Sequence, residues 1–454
     1  MQVKYLIIGA GPTGLGAAIR LQELGENSFA VVEANNYVGG LSASFKDNNG
    51  FTWDIGGHVI FSHYPYFDQL LDRALGKDFL THRRIARIRA AETWTPYPYQ
   101  NNIRYLPENI QWDCVEGLLP GRRPNPETNP PQNFQDWIYT VFGTGLARHF
   151  MMPYNFKVWA FPPQLMSYQW IGERVSLVDL EGVLKNLILK DDNVTWGPNS
   201  QFHFPLHGGT GEIFRRLGQM LEENLHLNCA VEEIDLQNRV AKTRSGKEFT
   251  FEYVLSTAPL DLLVKKVIKN PPAEMLAAAE HLEHNGVYVA GVGVNEQRPD
   301  DTCWMYFPED NCPFYRVTNL HNYSPNNVSP AGKKRALMAE VSFSKHKKED
   351  IQALLPQVIQ GLKNTSLLNA DTAPENITTW DFEAEYGYPV PTLKRDFALK
   401  TLQPWLQAQN IYSRGRFGGW RYEVGNMDHS VMQGVEWANL MLGKGEEETY
   451  KVPQ

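Results

Sequence analysis

Glycines at positions 9, 11 and 14 separate the apolar run Lys4-Tyr-Leu-Ile-Ile8 from an Ala/Leu-rich segment, Leu15 to Leu24. This spacing suits a pyrophosphate. One glycine allows a tight turn, the next lets the backbone approach the phosphates, and the third lets helix and strand pack closely. The helix that follows offers free N–H groups and a partial positive charge to the anion. Glu33 closes the next apolar run, Phe29-Ala-Val-Val32, where a carboxylate can accept hydrogen bonds from ribose hydroxyls. Together these residues point to a dinucleotide, NAD or FAD. A second constellation, Trp53-Asp-Ile-Gly-Gly-His58, sets a histidine after two glycines where the chain can turn sharply. Imidazole titrates near neutrality, so His58 is a candidate for sharing or moving a proton, although a lone histidine defines no reaction.

These residues need a scaffold, and the sequence outlines one. Lys4 to Ile8 reads as a buried strand, Leu15 to Leu24 as a helix that Gly25 can close, and Phe29 to Val32 as a second buried strand. From about Trp112 to Asn133 a proline-rich stretch reads as an irregular connection and a boundary. Phe134, Trp137, Ile138, Val141 and Phe142 then recur at helical spacing, so about 134 to 200 reads as a mainly helical insert. Ala230 to Ile234 and Tyr253 to Pro259 read as strands returning to the first domain. Gly286 to Val294, Ala336 to Phe343 and Ile377 to Phe382 read as a second sheet. Arg414 to Gly425 is glycine-rich and precedes a helix from about His429 to Leu442.

Composition narrows the class. With 42% hydrophobic and 21% charged residues, the chain is too apolar for disorder and too mixed for a fibre. A formal charge of −8 without a long basic run excludes a general nucleic-acid surface. Cys114, Cys229, Cys303 and Cys312 form no Cys-x-x-Cys pair, which argues for reduced, structural thiols and against a metal site. The apolar stretch Leu6 to Ile19 is short and broken by glycines, so no membrane insertion is expected. The first residues lack signal-peptide features, and a cytoplasmic location is expected.

Asn35-Asn-Tyr-Val-Gly-Gly-Leu-Ser42 and Ser256-Thr-Ala-Pro259 resemble segments of the amine-oxidase-like FAD proteins, which favours FAD and adds Gly40 to its contacts. A closer resemblance follows from Gly56-Gly-His-Val-Ile-Phe-Ser-His-Tyr64, Tyr97-Pro-Tyr-Gln-Asn-Asn102, Pro153-Tyr-Asn-Phe-Lys-Val-Trp159 and Gly172-Glu-Arg-Val175. Gly197-Pro-Asn199, Gly208-Gly-Thr-Gly211, Phe314-Tyr-Arg316, Gly387-Tyr-Pro389 and the run from Tyr412 to His429 extend it almost end to end. With these motifs the chain resembles the eukaryotic-type UDP-galactopyranose mutases.

The resemblance implies an isomerase that interconverts UDP-galactopyranose and UDP-galactofuranose, in galactofuranose biosynthesis, through an adduct between reduced flavin N5 and the sugar. It implies FAD in its reduced form, with NAD(P)H as external reductant. Arg174 and Arg316 match the arginines that hold the departing diphosphate, a task suited to paired guanidinium donors. Tyr306, Tyr388 and Tyr422 match tyrosines on the same phosphates. Asn155, Trp159, Asn199 and Asn426 match positions around sugar and diphosphate, while Tyr97, Gln100 and Phe150 match the uridine pocket. His58 matches a residue against the flavin ring, on a loop that shifts with redox state, beside Gly57. Arg416 matches a cation at the pyrimidine end of the flavin, where positive charge favours the anionic reduced form. Tyr99 stands where the family usually has phenylalanine, which leaves base identity open. The chain is also shorter than most eukaryotic-type members, so no oligomeric state is carried over.

The resulting expectation is an α/β protein: a Rossmann-like FAD-binding domain, a helical insert and a second, mainly antiparallel sheet domain. Its segments are 1–100, 201–270 and 396–454 for the FAD domain, 101–200 for the helical substrate domain and 271–395 for the sheet. Three alternatives remain: a mutase for another nucleotide sugar, such as a GDP-hexose or UDP-arabinopyranose, a net-redox amine-oxidase-like flavoenzyme, and a flavin-carrying binding protein that does no chemistry.

Overall fold

All four residues of Tyr5–Ile8 and of Phe29–Val32 are buried, as expected of strands covered by structure on both faces. In the computed structural model, which describes residues 1–172, 175–194, 200–221 and 223–453, they form the centre of a five-stranded parallel sheet. Its strand order is Ile411–Ser413, Tyr253–Ser256, Tyr5–Ile8, Phe29–Val32, Leu225–His226. Tyr5 lies in register with Tyr253 on one side and Phe29 on the other.

The helix Pro12–Glu23 follows the glycine turn, and the C-terminal helix Met427–Met441 packs directly on it. Small residues make the contact possible: a Cβ on Gly16 would come within 2.6 Å of the Val431 carbonyl oxygen. Thr13 faces Gly434, and Arg20 donates to the Asn439 side chain at 2.7 Å. The two helices therefore run in the same direction, with their N-termini, and the partial positive charge those carry, on the same side.

The second sheet has seven strands in the order Ile377–Val390, Glu283–Val294, Arg335–Phe343, Arg316–Asn319, Trp304–Tyr306, Ala86–Ala90, Thr93–Pro96. It is antiparallel except where Trp304–Tyr306 runs parallel to Ala86–Ala90. Gly291 and Gly293 leave space on Glu283–Val294 for two aromatic rings; a Cβ on Gly291 would sit 2.7 Å from the Trp53 indole. Trp53 also stacks on Phe51 and Trp380. This anchors the chain immediately before Ile55-Gly56-Gly57-His58.

Against the second sheet packs the helical layer, Phe134–Leu146, Met152–Trp159 and Leu180–Leu189, around a core that includes Ile138, Phe142, Leu146, Trp159 and Trp170 and takes in Ile88, Ala90 and Val390 of that sheet. One sequence expectation needs correction here. Residues 112–118 are not loose: Glu108–Leu118 is a helix that buries Cys114, Val115 and Leu118 in the same core as Phe134 and Ile138, and only the segment beyond it is irregular. Val231–Asp235 does not join the parallel sheet but pairs with Val240–Thr243, beside Glu248–Thr250, in a separate antiparallel ribbon. Its single fully buried residue, Ile234, fits a strand covered on one face, and the ribbon reaches the first domain through the core that Ile234 shares with Leu6 and Val254. Among the described residues no helix is long and apolar enough to cross a membrane.

Candidate active site

The glycine turn is built to leave room. Gly9 has φ +99°, and a Cβ there would collide with Thr257 Oγ1, while a Cβ on Gly14 would collide with the Gly9 carbonyl oxygen. The first helix begins at Pro12 with Gly11 as its N-cap and no capping side chain, so its leading N–H groups are left for an anion. Gly11 and Gly40 face each other backbone to backbone, and Gly39 N–H donates to the Ala10 carbonyl at 2.8 Å. Glu33, buried at the end of the second strand, accepts from Ala10 N–H at 2.8 Å and from the Asn35 backbone and side chain at 2.9 and 2.8 Å. The carboxylate therefore holds the turn in shape. A side-chain-free cradle at a helix N-terminus with a carboxylate on its flank fits the ADP half of FAD.

The other half of the site is organised by a residue that sequence reading missed. Glu340, 2% exposed, lies opposite Arg316 in the antiparallel ladder. Its Oε1 accepts from Arg316 Nε at 2.6 Å and Gly57 N–H at 3.1 Å, and its Oε2 from Arg316 Nη2 and the Tyr315 hydroxyl, each at 2.7 Å. Burial alone would raise this carboxyl; the Arg316 charge and the donated bonds instead hold it below the usual range. The pairing is bidentate and fixes the guanidinium plane. Gly57 belongs here for lack of space, because a Cβ would press on Thr318, Arg316 and Glu340 at once.

His58 follows directly. Its Nδ1 is buried without a hydrogen-bond partner among the described residues, an open position that a bound flavin could fill. Burial first, then the nearby Arg416, lowers its pKa to about 4, so the ring is neutral at ordinary pH. Arg416 lies over the Tyr388 ring, 4.8 Å from its centroid, and over Tyr422 at 5.6 Å. Nη1 donates to the Gly425 carbonyl at 3.1 Å, and no carboxylate pairs with Arg416 among the described residues. Among the described residues the site thus holds a neutralised cation, Arg316, and a cation without a carboxylate partner, Arg416.

Aromatic contacts extend the site into the helical layer. Tyr388 and Tyr422 both pack on Trp159. Asn285, fully buried, ties these elements by accepting from Tyr388 N–H at 2.8 Å and donating to the Trp159 carbonyl at 2.9 Å. Tyr306 takes a hydrogen bond from Trp304 Nε1 at 2.6 Å and meets Tyr97 and Tyr154. Tyr154 stacks on Phe150, and Phe150 on Tyr99, so Tyr99 is part of a packed aromatic column. Gln100 is buried and donates to the Ser176 carbonyl. Asn155 bonds back to Met151 O within its own helix at 2.7 Å, and Asn426 is exposed as the N-cap of the C-terminal helix without capping it. Arg174 and Asn199 lie outside the described residues. Besides Glu340, the sequence reading passed over Tyr154, Asn285 and Tyr315. The available signal was a lone carboxylate inside the apolar strand Ala336 to Phe343.

Two outcomes follow from this geometry. Glu340→Gln leaves the Arg316 charge buried without its partner, and the flavin-free protein is expected to lose about 3 kcal/mol of unfolding free energy in denaturant titrations; an unchanged midpoint would refute the structural role. His58 is depressed from 6.5 to about 4, so it contributes stability that is present above pH 6.5 and lost as pH falls towards 4. Thermal midpoints measured between pH 7 and 4 should therefore fall less steeply for His58→Gln than for the parent chain.

Comparison with known proteins agrees with this arrangement. The profile of the flavin containing amine oxidoreductases matches residues 12–442. Amine oxidase [flavin-containing] A of Sus scrofa is 24% identical over 284 residues, 58% of this chain and 51% of that protein. A 4,4'-diapophytoene desaturase of Staphylococcus aureus is 34% identical over 87 residues, 19% of this chain and 16% of that protein. The chain thus matches about half the length of the first of these curated relatives and much less of the second. Wild-type putrescine oxidase bound to putrescine superposes with a TM-score of 0.66 at 16% identity, over 98% of this chain and 99% of that one, which is a likeness of fold. A crystal structure of reduced UDP-galactopyranose mutase superposes with a TM-score of 0.94 at 43% identity, over 99% of this chain and 96% of that one. With the glycine cradle, the Gly57-His58 turn and the oriented Arg316 in place, the chain belongs to the flavin containing amine oxidoreductases and, among them, to the UDP-galactopyranose mutases.

Proposed function

We propose that this protein is a reduced-flavin-dependent mutase that interconverts UDP-galactopyranose and UDP-galactofuranose without net redox change. The observation that carries the reading is 43% identity, over nearly the whole of both chains, to a reduced UDP-galactopyranose mutase. Gly9, Gly11, Gly14, Gly40 and Glu33 hold the ADP half of FAD, and Gly57 and Arg416 border its ring. When bound and reduced, by NAD(P)H in this reading, FAD supplies the nucleophile for the sugar's anomeric carbon.

The chain's own residues account for the rest. Arg416, a cation without a carboxylate partner among the described residues, favours negative charge on the group beside it. His58 stays neutral and can share a hydrogen bond through Nδ1 without adding charge. Arg316 spends two N–H donors on Glu340 and keeps the others for the diphosphate, which gains charge as the sugar departs. Because Glu340 already fixes the guanidinium, little reorganisation is needed when that charge develops. Tyr306, Tyr388 and Tyr422 add hydroxyl donors to the phosphates, and Arg174 is assigned as the second diphosphate arginine. Trp159, Asn155, Asn199 and Asn426 surround sugar and diphosphate. Tyr97, Gln100 and Phe150 form the uridine end.

In this reading UDP competes with substrate for the reduced enzyme far better than GDP. Arg316→Ala should lower kcat by about 100-fold or more while flavin content is unchanged. Equal competition by GDP would move the assignment to another nucleotide sugar, and consumption of substrate with stoichiometric oxidation would replace it with a net-redox reaction.

A further inference from the structure

The His58 turn is held at both ends by buried carboxylates from other elements. Glu340 holds Gly57, as described above. Five residues after His58, His63 meets Asp428: its backbone N–H lies 3.2 Å, and its Nδ1 2.6 Å, from the same Asp428 oxygen. Asp428 belongs to the first turn of the C-terminal helix and is 2% exposed, and its other oxygen faces His429 Nδ1 at 3.0 Å. Burial would raise the Asp428 carboxyl, but the imidazoles of His429 and His63 hold it below the usual range.

The His63 side chain, in contrast, is 48% exposed, so bulk solvent reaches it. Phe61 meets the ring edge-on at 4.7 Å, and His429 lies 5.0 Å away. Tyr64 packs on both histidines, and its hydroxyl reaches Glu436 through Thr449. The titratable groups around His63 are therefore Asp428, His429, Tyr64 and, at one remove, Glu436. The ligand atoms of His63, Asp428 and His429 lie within 4.8 Å of one another, a spacing that a metal could also span.

We infer that Asp428, with His63 and His429, is a positioning tether: it holds the chain that leaves the His58 turn and so sets that turn for the reaction proposed above, on which this inference rests. One Asp428 oxygen meets both the His63 backbone N–H and its ring Nδ1, so the carboxylate fixes chain and side chain together. Asp428 lies on the helix whose N-cap is Asn426, so the tether joins the His58 turn to the element that borders the same site.

The test uses FAD-loaded protein and reads the flavin midpoint potential at one fixed pH without substrate, then kcat and KM of the prereduced enzyme. Asp428→Asn and His63→Ala should shift the potential and lower kcat roughly 10-fold, with KM for the nucleotide sugar changed little, since a hydrogen bond to a charged group is lost. His63→Asn, which keeps an N–H donor for the carboxylate, should recover most of the loss. Flavin content and thermal midpoint guard against misfolding, and the solvent-exposed His63→Ala serves if Asp428→Asn does not fold.

Unaltered potential and kcat in Asp428→Asn and His63→Ala overturn the tether. A wild-type potential or kcat that a chelator changes overturns it in favour of a metal site. Because the potential is read without substrate, the tether can fail while wild-type turnover stands. A wild type that binds flavin but does not isomerise UDP-galactopyranose instead defeats the functional reading alone.

Discussion

A buried carboxylate must be matched by donors or it destabilises the fold, and Glu340 is matched by four. Those donors come from three residues: Gly57 on the turn that carries His58, Arg316 at the start of the neighbouring strand, and Tyr315 just before it. Satisfying one charge therefore sets the position of the His58 turn and of the Arg316 guanidinium together. Arg316 and Glu340 can meet only because the seven-stranded sheet brings them opposite each other, and Gly57 can reach them only because it lacks a Cβ.

The surrounding architecture keeps that arrangement rigid. Phe51 and Trp53 lie on the glycines of Glu283–Val294 and fix where the chain enters the His58 turn, while His63 and Asp428 fix where it leaves. On the opposite side, Asn285 ties Tyr388 to the Trp159 end of the helical layer. The parallel sheet contributes a glycine cradle and two helix N-termini on one side. The electrostatic outcome is selective: Arg316 is neutralised and oriented, Arg416 is left as a cation, and His58 is kept neutral. That is a charge pattern for stabilising anions on two groups without placing a proton on the histidine between them.

How legible this was in the sequence depended on the range of the interaction. The Gly9–Gly14 turn, its strands and Glu33 are local, and the structure has them as the sequence suggests. The helix over 134–146 and the long strands near 286, 336 and 377 announced themselves through periodicity. Glu340 did not, because its partners lie 24 and 283 residues away and only sheet register reveals them. Val231–Asp235 read as a strand and is one, but strand propensity says nothing about which sheet a strand joins, and it pairs in a separate ribbon. Trp112 looked like part of a loop because the prolines after it obscured the helix that ends at Leu118. The family motifs identified the residue types around the site, but not that Phe150, Tyr99 and Tyr154 form a continuous column, nor that Asn155 bonds within its own helix.

The central claim is that the flavin acts on a sugar only when reduced and returns unchanged. It is tested most directly by incubating the FAD-loaded protein with UDP-galactofuranose, once fully oxidised and once prereduced under anaerobic conditions, and separating the nucleotide sugars chromatographically. The account predicts conversion to UDP-galactopyranose by the reduced protein alone, with the flavin still reduced at the end. Conversion at the same rate by oxidised protein, or flavin oxidised in proportion to substrate consumed, would contradict it.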